Sequence, residues 1–430
     1  MLRKFGSAGV LAAIAGCASV QKQATTTAAG GGGGSDGADT TSTIEGGKAT
    51  AWVARPSAEE KSIKQNIDQF NGQSPHTLEM SDISDLGKKT SSAIPAGQGP
   101  HTFEWAHDWI GDYYQSGFLA DQSGKLDVSL DTFTDAAAQA VQFDGATLGL
   151  PTSAETVALL YNKEYVDSPP KTVSEMVDIM SEHHDPANGT YGLSYPLTPY
   201  FISGWAQAYG GYYFDPDKDP MLGLSKPETI KGFNLVADTF TKYMPEDTTY
   251  GPQASVFSTG NAPLAINGPW YLATLREKNL DFGVAELPTP DGGTPTPYTG
   301  IQLWYFSKKM QKDTPATNAA RSFIEWYATN TDLLLEIAEK HGFIPVHEDL
   351  AGSDELPANV KGFSEAARQG IPMPTHPKVK AVWDPVKNAF KTALNGDESM
   401  ESAMAGAEET IRSRWESWGN EHGFPNQPAV

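Results

Sequence analysis

"FEWAHDWIGDYY", residues 103–114, combines side chains that neither a protein core nor a solvated helix usually carries together. A buried core segment would not contain so many charges, and a solvated helix face would not contain two tryptophans. Flat apolar rings beside carboxylates indicate the wall of a binding cleft. The rings are Phe103, Trp105, Trp109, Tyr113 and Tyr114, and their polar neighbours are Glu104, His107, Asp108 and Asp112.

Further aromatic residues lie at the predicted ends of strands and helices. Trp270 follows Gly268-Pro269, which ends a predicted strand, and Trp383 lies near the start of a predicted helix. Ligands of open α/β sheets bind at such edges. A pyranose has C–H faces that stack on rings and hydroxyls that donate to carboxylates, so the pattern favours a sugar. For any single ring, core packing is the alternative.

The length and charge of the chain narrow its class. A chain of 430 residues is long enough for two domains or lobes. The formal net charge is -22, from 31 Lys and Arg against 53 Asp and Glu, which repels nucleic acid and anionic lipid. We expect a halophilic protein, in which salt screens this repulsion. An acidic protein from an ordinary cell is the alternative.

The first 47 residues predict export. Residues 1–16 have a basic start and a short apolar run, which is typical of a signal peptide. The only cysteine in the chain, Cys17, ends an "IAGC" sequence that resembles a lipobox, so we expect a lipidated cysteine. A signal peptide with a chance cysteine is the alternative. Residues 17–47 are rich in Gly and Thr and predict a flexible tether on the outer face of the cytoplasmic membrane.

From residue 48 onward, predicted strands and helices alternate. Residues 48–54 predict a strand, and residues 57–71 predict a helix with apolar residues at spacings of four and three. Later helices are predicted at 172–184, 227–244 and over most of the last 50 residues. This alternation predicts an α/β fold with mostly parallel sheets flanked by helices.

No catalytic, metal or cofactor motif stands out. The sequence has no GxSxG, no HExxH and no phosphate-binding glycine loop, so we expect no enzyme activity, no metal and no cofactor. His183-His184-Asp185 precedes Pro186, and a solvated loop explains it better than a metal site. Asn188-Gly189-Thr190 is a glycosylation sequon, of a kind that is common by chance.

Six segments in order resemble the maltose/maltodextrin-binding proteins of ABC sugar importers, within the extracellular solute-binding protein superfamily. They are "EWAHDWIGDYYQSGFLAD", "YNKEYVDSPPKTVSEM", "PYFISGWAQAYGGYYF", "INGPWYLATL", "FGVAELPTPDG" and "GIPMPTHPKVKAVWDPVKNAF". The resemblance implies a two-lobed periplasmic-binding-protein fold that closes on sugar at a hinge with several chain crossings. It places lobe 1 at 48–154 plus 303–352, and lobe 2 at 155–302 plus 353–430.

The resemblance also implies the residues that contact sugar. Trp105, Ala106 and Asp108 would do so from lobe 1, and Glu155 would accept hydroxyls near the hinge. Tyr200, Trp270 and Trp383 would be the stacking rings of lobe 2.

This chain departs from the family at three places. Trp109 stands where the family usually carries Arg, and we count it among the sugar-binding candidates. Thr198 stands where the family carries an acid. The family's Asp-Lys pair after the first strand has no clear counterpart here, and Arg55, Ser57 or Glu59 are candidates to replace it.

The resemblance implies the extracellular, lipid-anchored component of an ABC importer that captures maltose, maltodextrin or a related sugar. Its partner would be the permease subunits, and we expect a monomer. A secreted glycosidase is one alternative, with Asp108 and Glu155 as the paired carboxylates. A binding protein for a peptide or polyamine is the other.

Overall fold

The computed structural model describes residues 46–55 and 57–422. The predicted signal peptide, Cys17 and nearly all of the tether lie outside the described residues, as does the side chain of Ser57. Within the described part of the chain, no helix is both long and apolar enough to cross a membrane.

The strands alternate with helices along the chain, as predicted. They are β1 (Lys48–Val53), β2 (Thr77–Asp82), β3 (Thr102–Ala106), β4 (Gln142–Phe143), β5 (Ala146–Thr147), β6 (Gly149–Glu155), β7 (Ala158–Asn162), β8 (Leu193–Ser194), β9 (Leu264–Asn267), β10 (Phe282–Ala285), β11 (Tyr298–Phe306), β12 (Ile344–Pro345) and β13 (Ile371–Pro372).

The helices pack on both sheets that these strands form. They are α1 (Ser57–Gln73), α2 (Leu86–Ala93), α3 (Ile110–Gln115), α4 (Asp135–Ala140), α5 (Val173–His183), α6 (Pro199–Ala206), α7 (Pro227–Asp238), α8 (Tyr250–Ser258), α9 (Leu272–Glu277), α10 (Pro315–Thr329), α11 (Thr331–His341), α12 (Ala358–Gln369), α13 (Trp383–Leu394) and α14 (Met400–His422). Short 3₁₀ turns at His107–Trp109, Pro269–Tyr271 and Pro377–Ala381 carry side chains of the candidate site.

Local sequence explains where these helices begin and end. Thr172 caps α5 in a capping box with Glu175, as the Thr-x-x-Glu spacing favours. The helix predicted over 227–244 is wrong at its end, because α7 stops at Asp238 and a separate 3₁₀ turn covers Phe240–Tyr243. The backbone of Thr239 leaves ideal helical geometry at that point, with φ of -115° and ψ of -57°.

The larger sheet has the order β12-β6-β11-β3-β1-β2, and β13 pairs with β11. Strands β1, β2, β3 and β6 run in one direction, whereas β11 runs antiparallel to both β3 and β6. The chain leaves this sheet after β6 and returns through β11. Because the return begins at the edge where β6 ends, β11 has to run in the opposite direction.

The smaller sheet has the order β10-β7-β9-β8 and also contains a strand that runs antiparallel to its neighbours. Here β7, which enters from the first sheet, is antiparallel to β9 and β10, while β8 and β9 are parallel. The α/β class is therefore correct, but the prediction of mostly parallel pairing is wrong. The crossing strands insert reversed neighbours into both sheets, and local sequence patterns carry no record of strand direction.

Buried apolar residues form the core beneath and between the sheets. One cluster contains Leu78, Trp304 and Phe323, and another contains Trp205, Ile266 and Val382. A smaller cluster, which includes Phe103, Tyr113 and Tyr305, lies under the opening sequence 103–114. Phe103, Ile110 and Tyr113 of that stretch are therefore core residues, whereas Trp105 and Trp109 are partly exposed.

Candidate functional site

The carboxyl ends of the strands bring the predicted side chains together. In the larger sheet, Arg55 follows β1, Asp108 follows β3, and Glu155 is the last residue of β6. In the smaller sheet, Trp270 follows β9 and Tyr200 lies on the helix after β8. Loops at the carboxyl ends of co-directional strands meet at one edge, and ligands of α/β sheets bind at such edges.

Trp105 and Trp109 form a stacked pair on the wall that the larger sheet provides. Their ring centroids are 4.7 Å apart and their planes differ by 27°. Both rings line a groove of about 600 Å³ with Arg55 and residues 82–87, the loop after β2. Because Trp109 stacks on Trp105, it supports that ring, and Trp105 remains partly exposed.

Asp108 and Glu155 form a pair of carboxylates at the floor of the site. Asp108 is 8% exposed, and burial together with the charge of Glu155 raises the pKa of Asp108 to about 7. The Trp383 indole and the Lys380 ammonium oppose this rise. Burial also raises the pKa of Glu155, against the charge of Arg55 and a hydrogen bond from Gln302. Such carboxylates are poised to accept hydrogen bonds from hydroxyl groups.

Arg55 links buried acids behind this floor. Its Nε and Nη2 donate to Glu104 at 3.2 and 3.0 Å, and Nη2 donates to Gln302 at 2.9 Å. Burial opposes the charge of Arg55, but Glu104 and Glu59 more than offset that and raise its pKa. Arg55 thus supplies a cation after the first strand, one of the replacements considered for the Asp-Lys pair.

Glu59 lies beside Arg55 with an unsatisfied oxygen. Its Oε2 is 3.6 Å from Nη1 of Arg55 and is buried without a hydrogen-bond partner among the described residues. Burial raises the pKa of Glu59 to about 7, although Arg55 opposes the shift. Burial and, to a smaller extent, the charge of Glu59 raise the pKa of Tyr250, the first residue of α8, which connects β8 to β9 in the smaller sheet.

His107 and Ala106 fix the backbone of the site. His107 Nδ1 accepts from the Ile301 N–H at 2.9 Å, so Nε2 carries the proton that is donated to the Met373 carbonyl at 2.9 Å. Burial lowers the pKa of His107 to about 4, which keeps the ring neutral. The Ala106 carbonyl accepts from the Tyr305 hydroxyl at 2.7 Å. Both residues therefore hold the wall in place.

Aromatic rings make up the opposite wall. Tyr200 donates to the Glu155 carbonyl at 3.2 Å, and its ring centroid lies 6.2 Å from that of Trp270. Trp383 packs edge-on against Tyr298 at 5.8 Å, and its Nε1 has no partner in hydrogen-bond geometry within the described chain. All three side chains are partly exposed. This wall presents ring surface and brings no carboxylate of its own from these positions.

A second, larger cavity lies behind His107. It measures about 1,020 Å³ and is lined by His107, by Phe143, by residues of α4 and by segments 207–218, 294–298 and 371–376. None of the eight predicted contact residues lines it. Size alone would favour this cavity, but the smaller groove is lined by Arg55, whose charge acts on Glu155, and by Trp109, which follows Asp108 in the chain. We therefore take the groove and its floor as the candidate site.

Sequence reasoning missed several residues of this site. Glu104 and Gln302 are the polar side chains that hold Arg55, and Lys380 contacts the Trp109 ring. A signal existed for Gln302, because it is the polar residue in the apolar strand "IQLWYF". Nothing in the sequence indicated that Gln302 would meet Arg55, 247 positions away.

Comparison with known proteins identifies the family. The model of the bacterial extracellular solute-binding protein family matches residues 65–363. The chain belongs to this family. The resemblance stated from the sequence is confirmed, and so is the two-lobed α/β class.

A maltotriose-binding protein of Pyrococcus abyssi is 40% identical over 317 residues, 72% of this chain and 69% of that protein. A maltooligosaccharide ABC transporter solute-binding lipoprotein of Streptococcus pneumoniae is 24% identical, over 76% of this chain and 80% of its own. The solved structure of a Thermus thermophilus maltotriose binding protein bound with maltotriose matches with a TM-score of 0.77 and 27% identity, over 85% and 99% of the two chains. These relatives of the extracellular solute-binding family are binding proteins, not enzymes, which decides against the glycosidase alternative.

Proposed function

We propose that this extracellular solute-binding protein captures a malto-oligosaccharide, of the size of maltotriose or longer, for an ABC importer. The observation that carries the proposal is the meeting of the Asp108 and Glu155 carboxylates with Tyr200, whose ring neighbours Trp270, while Trp109, next to Asp108 in the chain, stacks on Trp105. Carboxylates accept hydroxyls and rings cover C–H faces, which is the pairing that a pyranose requires. The names of the relatives support this ligand class.

The proposal includes closure of two lobes. The larger sheet belongs to lobe 1 (48–154 plus 303–352) and the smaller sheet to lobe 2 (155–302 plus 353–430), with the boundary at 302 falling inside β11. Asp108 and the tryptophan pair would come from lobe 1, Glu155 from the boundary between the lobes, and most stacking rings from lobe 2. A ligand that satisfies both sets of groups would favour the closed arrangement.

We further propose that the protein is a monomer and that its partner is the permease subunits of the importer. Lipidation of Cys17 would anchor the protein outside the cell, and the lipoprotein named among the relatives supports this. Replacement of Cys17 by Ser should release the protein into the medium, as measured by fractionation and immunoblotting. Retention of the variant on membranes would count against the anchor.

A thermal melting scan against a ligand panel tests the function. The panel contains glucose, trehalose, maltose, maltotriose, maltotetraose, an amino acid mixture and spermidine. At a ligand concentration 100 times its Kd, binding should stabilise the folded protein by about 2.7 kcal/mol. Stabilisation by maltotriose and not by spermidine is the expected result. A response to spermidine or amino acids alone would overturn the sugar assignment.

The same scan at 0.1 M and 2 M KCl tests the proposed adaptation to salt. Because the net charge is -22, screening should raise the melting temperature strongly. Equal melting temperatures at both salt concentrations would remove the halophilic assignment and leave the ligand assignment unaffected.

A further inference from the structure

We propose that Lys380 is a positioning residue for sugar binding: its ammonium group fixes the stacked indoles of Trp105 and Trp109 and supplies a positive charge to Asp108. The inference rests on the proposed function, since it concerns the same cleft. Lys380 lies in the 3₁₀ turn Pro377–Ala381, just before α13. No sequence pattern drew attention to it, and it does not line the groove of about 600 Å³.

The first part of the argument is the contact with the aromatic stack. The Nζ of Lys380 lies 5.8 Å from the centroid of Trp109 and 4.7 Å from that of Tyr113. Those two rings are 5.1 Å apart, and Trp109 in turn stacks on Trp105. A cation over an aromatic face is attracted to the ring electrons. Lys380 thus contacts the stack from outside the groove that Trp105 and Trp109 line.

The second part is the anchor that keeps Lys380 there. Its Nζ donates to Asp112 at 2.7 Å, and the Asp112 side chain is only 13% exposed. The two chain segments also meet closely, because a Cβ added at Gly111 would lie 2.1 Å from the Thr375 carbonyl oxygen. The absence of a side chain at Gly111 allows this approach, and the approach brings the Pro377–Ala381 turn over the tryptophan stack.

The third part is the charge balance around Asp108. Burial and the charge of Glu155 raise the pKa of Asp108, and Lys380 is a cation that opposes this rise. His107, next to Asp108, is neutral because burial lowers its pKa to about 4. The remaining titratable groups whose ionisation Asp108 opposes are the phenols of Tyr113, Tyr200 and Tyr305. Without Lys380, the carboxylate form of Asp108 would lose a nearby positive charge that stabilises it.

Trp109 is the partner that makes this arrangement possible. The family resemblance predicts Arg at this position, and a guanidinium there would face the Lys380 ammonium with like charge. An indole instead offers a face that accepts the cation. Trp109 and Lys380 therefore belong to one arrangement. In it, the positive charge near Asp108 comes from Lys380, in the turn before α13.

Maltotriose titration calorimetry of the full chain from pH 5.5 to 8.5 tests this role. Lys380→Met removes the charge, and Lys380→Arg restores it. Lys378→Met is the matched control, because Lys378 lies in the same turn but over Trp415, at 4.9 Å. We expect Lys380→Met to bind up to about ten-fold more weakly at pH 7, with the midpoint of the affinity profile moved to higher pH. The Arg variant should restore the wild-type midpoint.

The circular dichroism of the stacked indoles provides a second measurement. The exciton signal of the Trp105–Trp109 pair should weaken in Lys380→Met and persist in Lys378→Met. Because the Lys380 side chain is 39% exposed, its replacement should leave the fold intact, which a melting curve checks. An unchanged midpoint and exciton signal in Lys380→Met, or equal effects in Lys378→Met, would overturn the proposal. Failure of the wild type to bind maltotriose would instead overturn the proposed function.

Discussion

The two walls of the candidate site differ in the kind of group that they bring. The wall at the larger sheet holds Arg55, Glu59, Glu104 and Asp108, all largely buried, beside the tryptophan stack. The wall at the smaller sheet holds Tyr200, Trp270 and Trp383, which are half-buried rings. Buried charges cost folding free energy unless they are paired, whereas half-buried rings cost little. The first wall should therefore couple binding to stability and pH, and the second should act mainly on affinity.

Replacement of Arg55 by Met is the strongest test of this difference. It would leave Glu104, 2% exposed, and Glu59, 4% exposed, without their cation. We expect a loss of about 3–5 kcal/mol in the free energy of unfolding, as is typical when a buried ion pair loses one partner. Denaturant unfolding at constant salt measures it.

Lys64→Met is the matched control for Arg55→Met. The pair of Lys64 with Asp68 is also close, at 2.9 Å, but its side chains are 61% and 63% exposed. Its loss should change stability by less than about 1 kcal/mol. Similar stabilities for the two variants would mean that the first wall carries no special electrostatic cost.

Replacement of Trp270 by Ala tests the second wall. We expect maltotriose affinity to fall by about 2–4 kcal/mol, since aromatic anchors dominate the energy of such interfaces. Isothermal titration calorimetry measures it. Trp326→Ala is the control, because Trp326 is also a partly buried tryptophan but packs against Phe70, at 5.6 Å. That variant should lose stability and keep its affinity. Unchanged maltotriose affinity in Trp270→Ala would show that Trp270 is only a packing residue.

Some residues of both walls could be predicted from the sequence. Gly268-Pro269 before Trp270 correctly predicted a ring just beyond the end of a strand, at β9. Asp108 and Glu155 were selected by resemblance, and the structure brings their charges together. These features are recoverable because they depend on local chain breaks and on short motifs.

What the sequence did not yield depends on contacts between distant segments. Arg55 and Gln302 are 247 positions apart, and Lys380 reaches Asp112 across 268 positions. The direction of β11 follows from the path by which the chain returns, and no pattern within "YTGIQLWYF" encodes it. The orientation of the Trp109 ring likewise depends on the residues that contact it on both faces. Pairwise contacts of this kind become visible only once the fold is known.

Replacement of Asp108 by Asn distinguishes the walls by pH, with the smallest expected effect. The pKa of Asp108 is raised to about 7 from an ordinary value near 3.8. A raised carboxyl pKa stabilises the folded protein fully below the ordinary value, and this contribution disappears as the pH rises through 7. Asp108→Asn removes the cost of the buried charge, so the stability advantage of the ligand-free variant over the wild type should be larger at pH 8 than at pH 5 by about 2–3 kcal/mol. At pH 8 the variant should also bind maltotriose about ten-fold more weakly, because the charged acceptor is gone.

Denaturant unfolding of both proteins at pH 5, 6.5 and 8 measures the difference in stability. The contributions of the other titrating groups largely cancel in this difference. A stability difference that does not change with pH would show that Asp108 is already paired in the free protein, and the contrast between a charged wall and an aromatic wall would then rest on Arg55 and its acids.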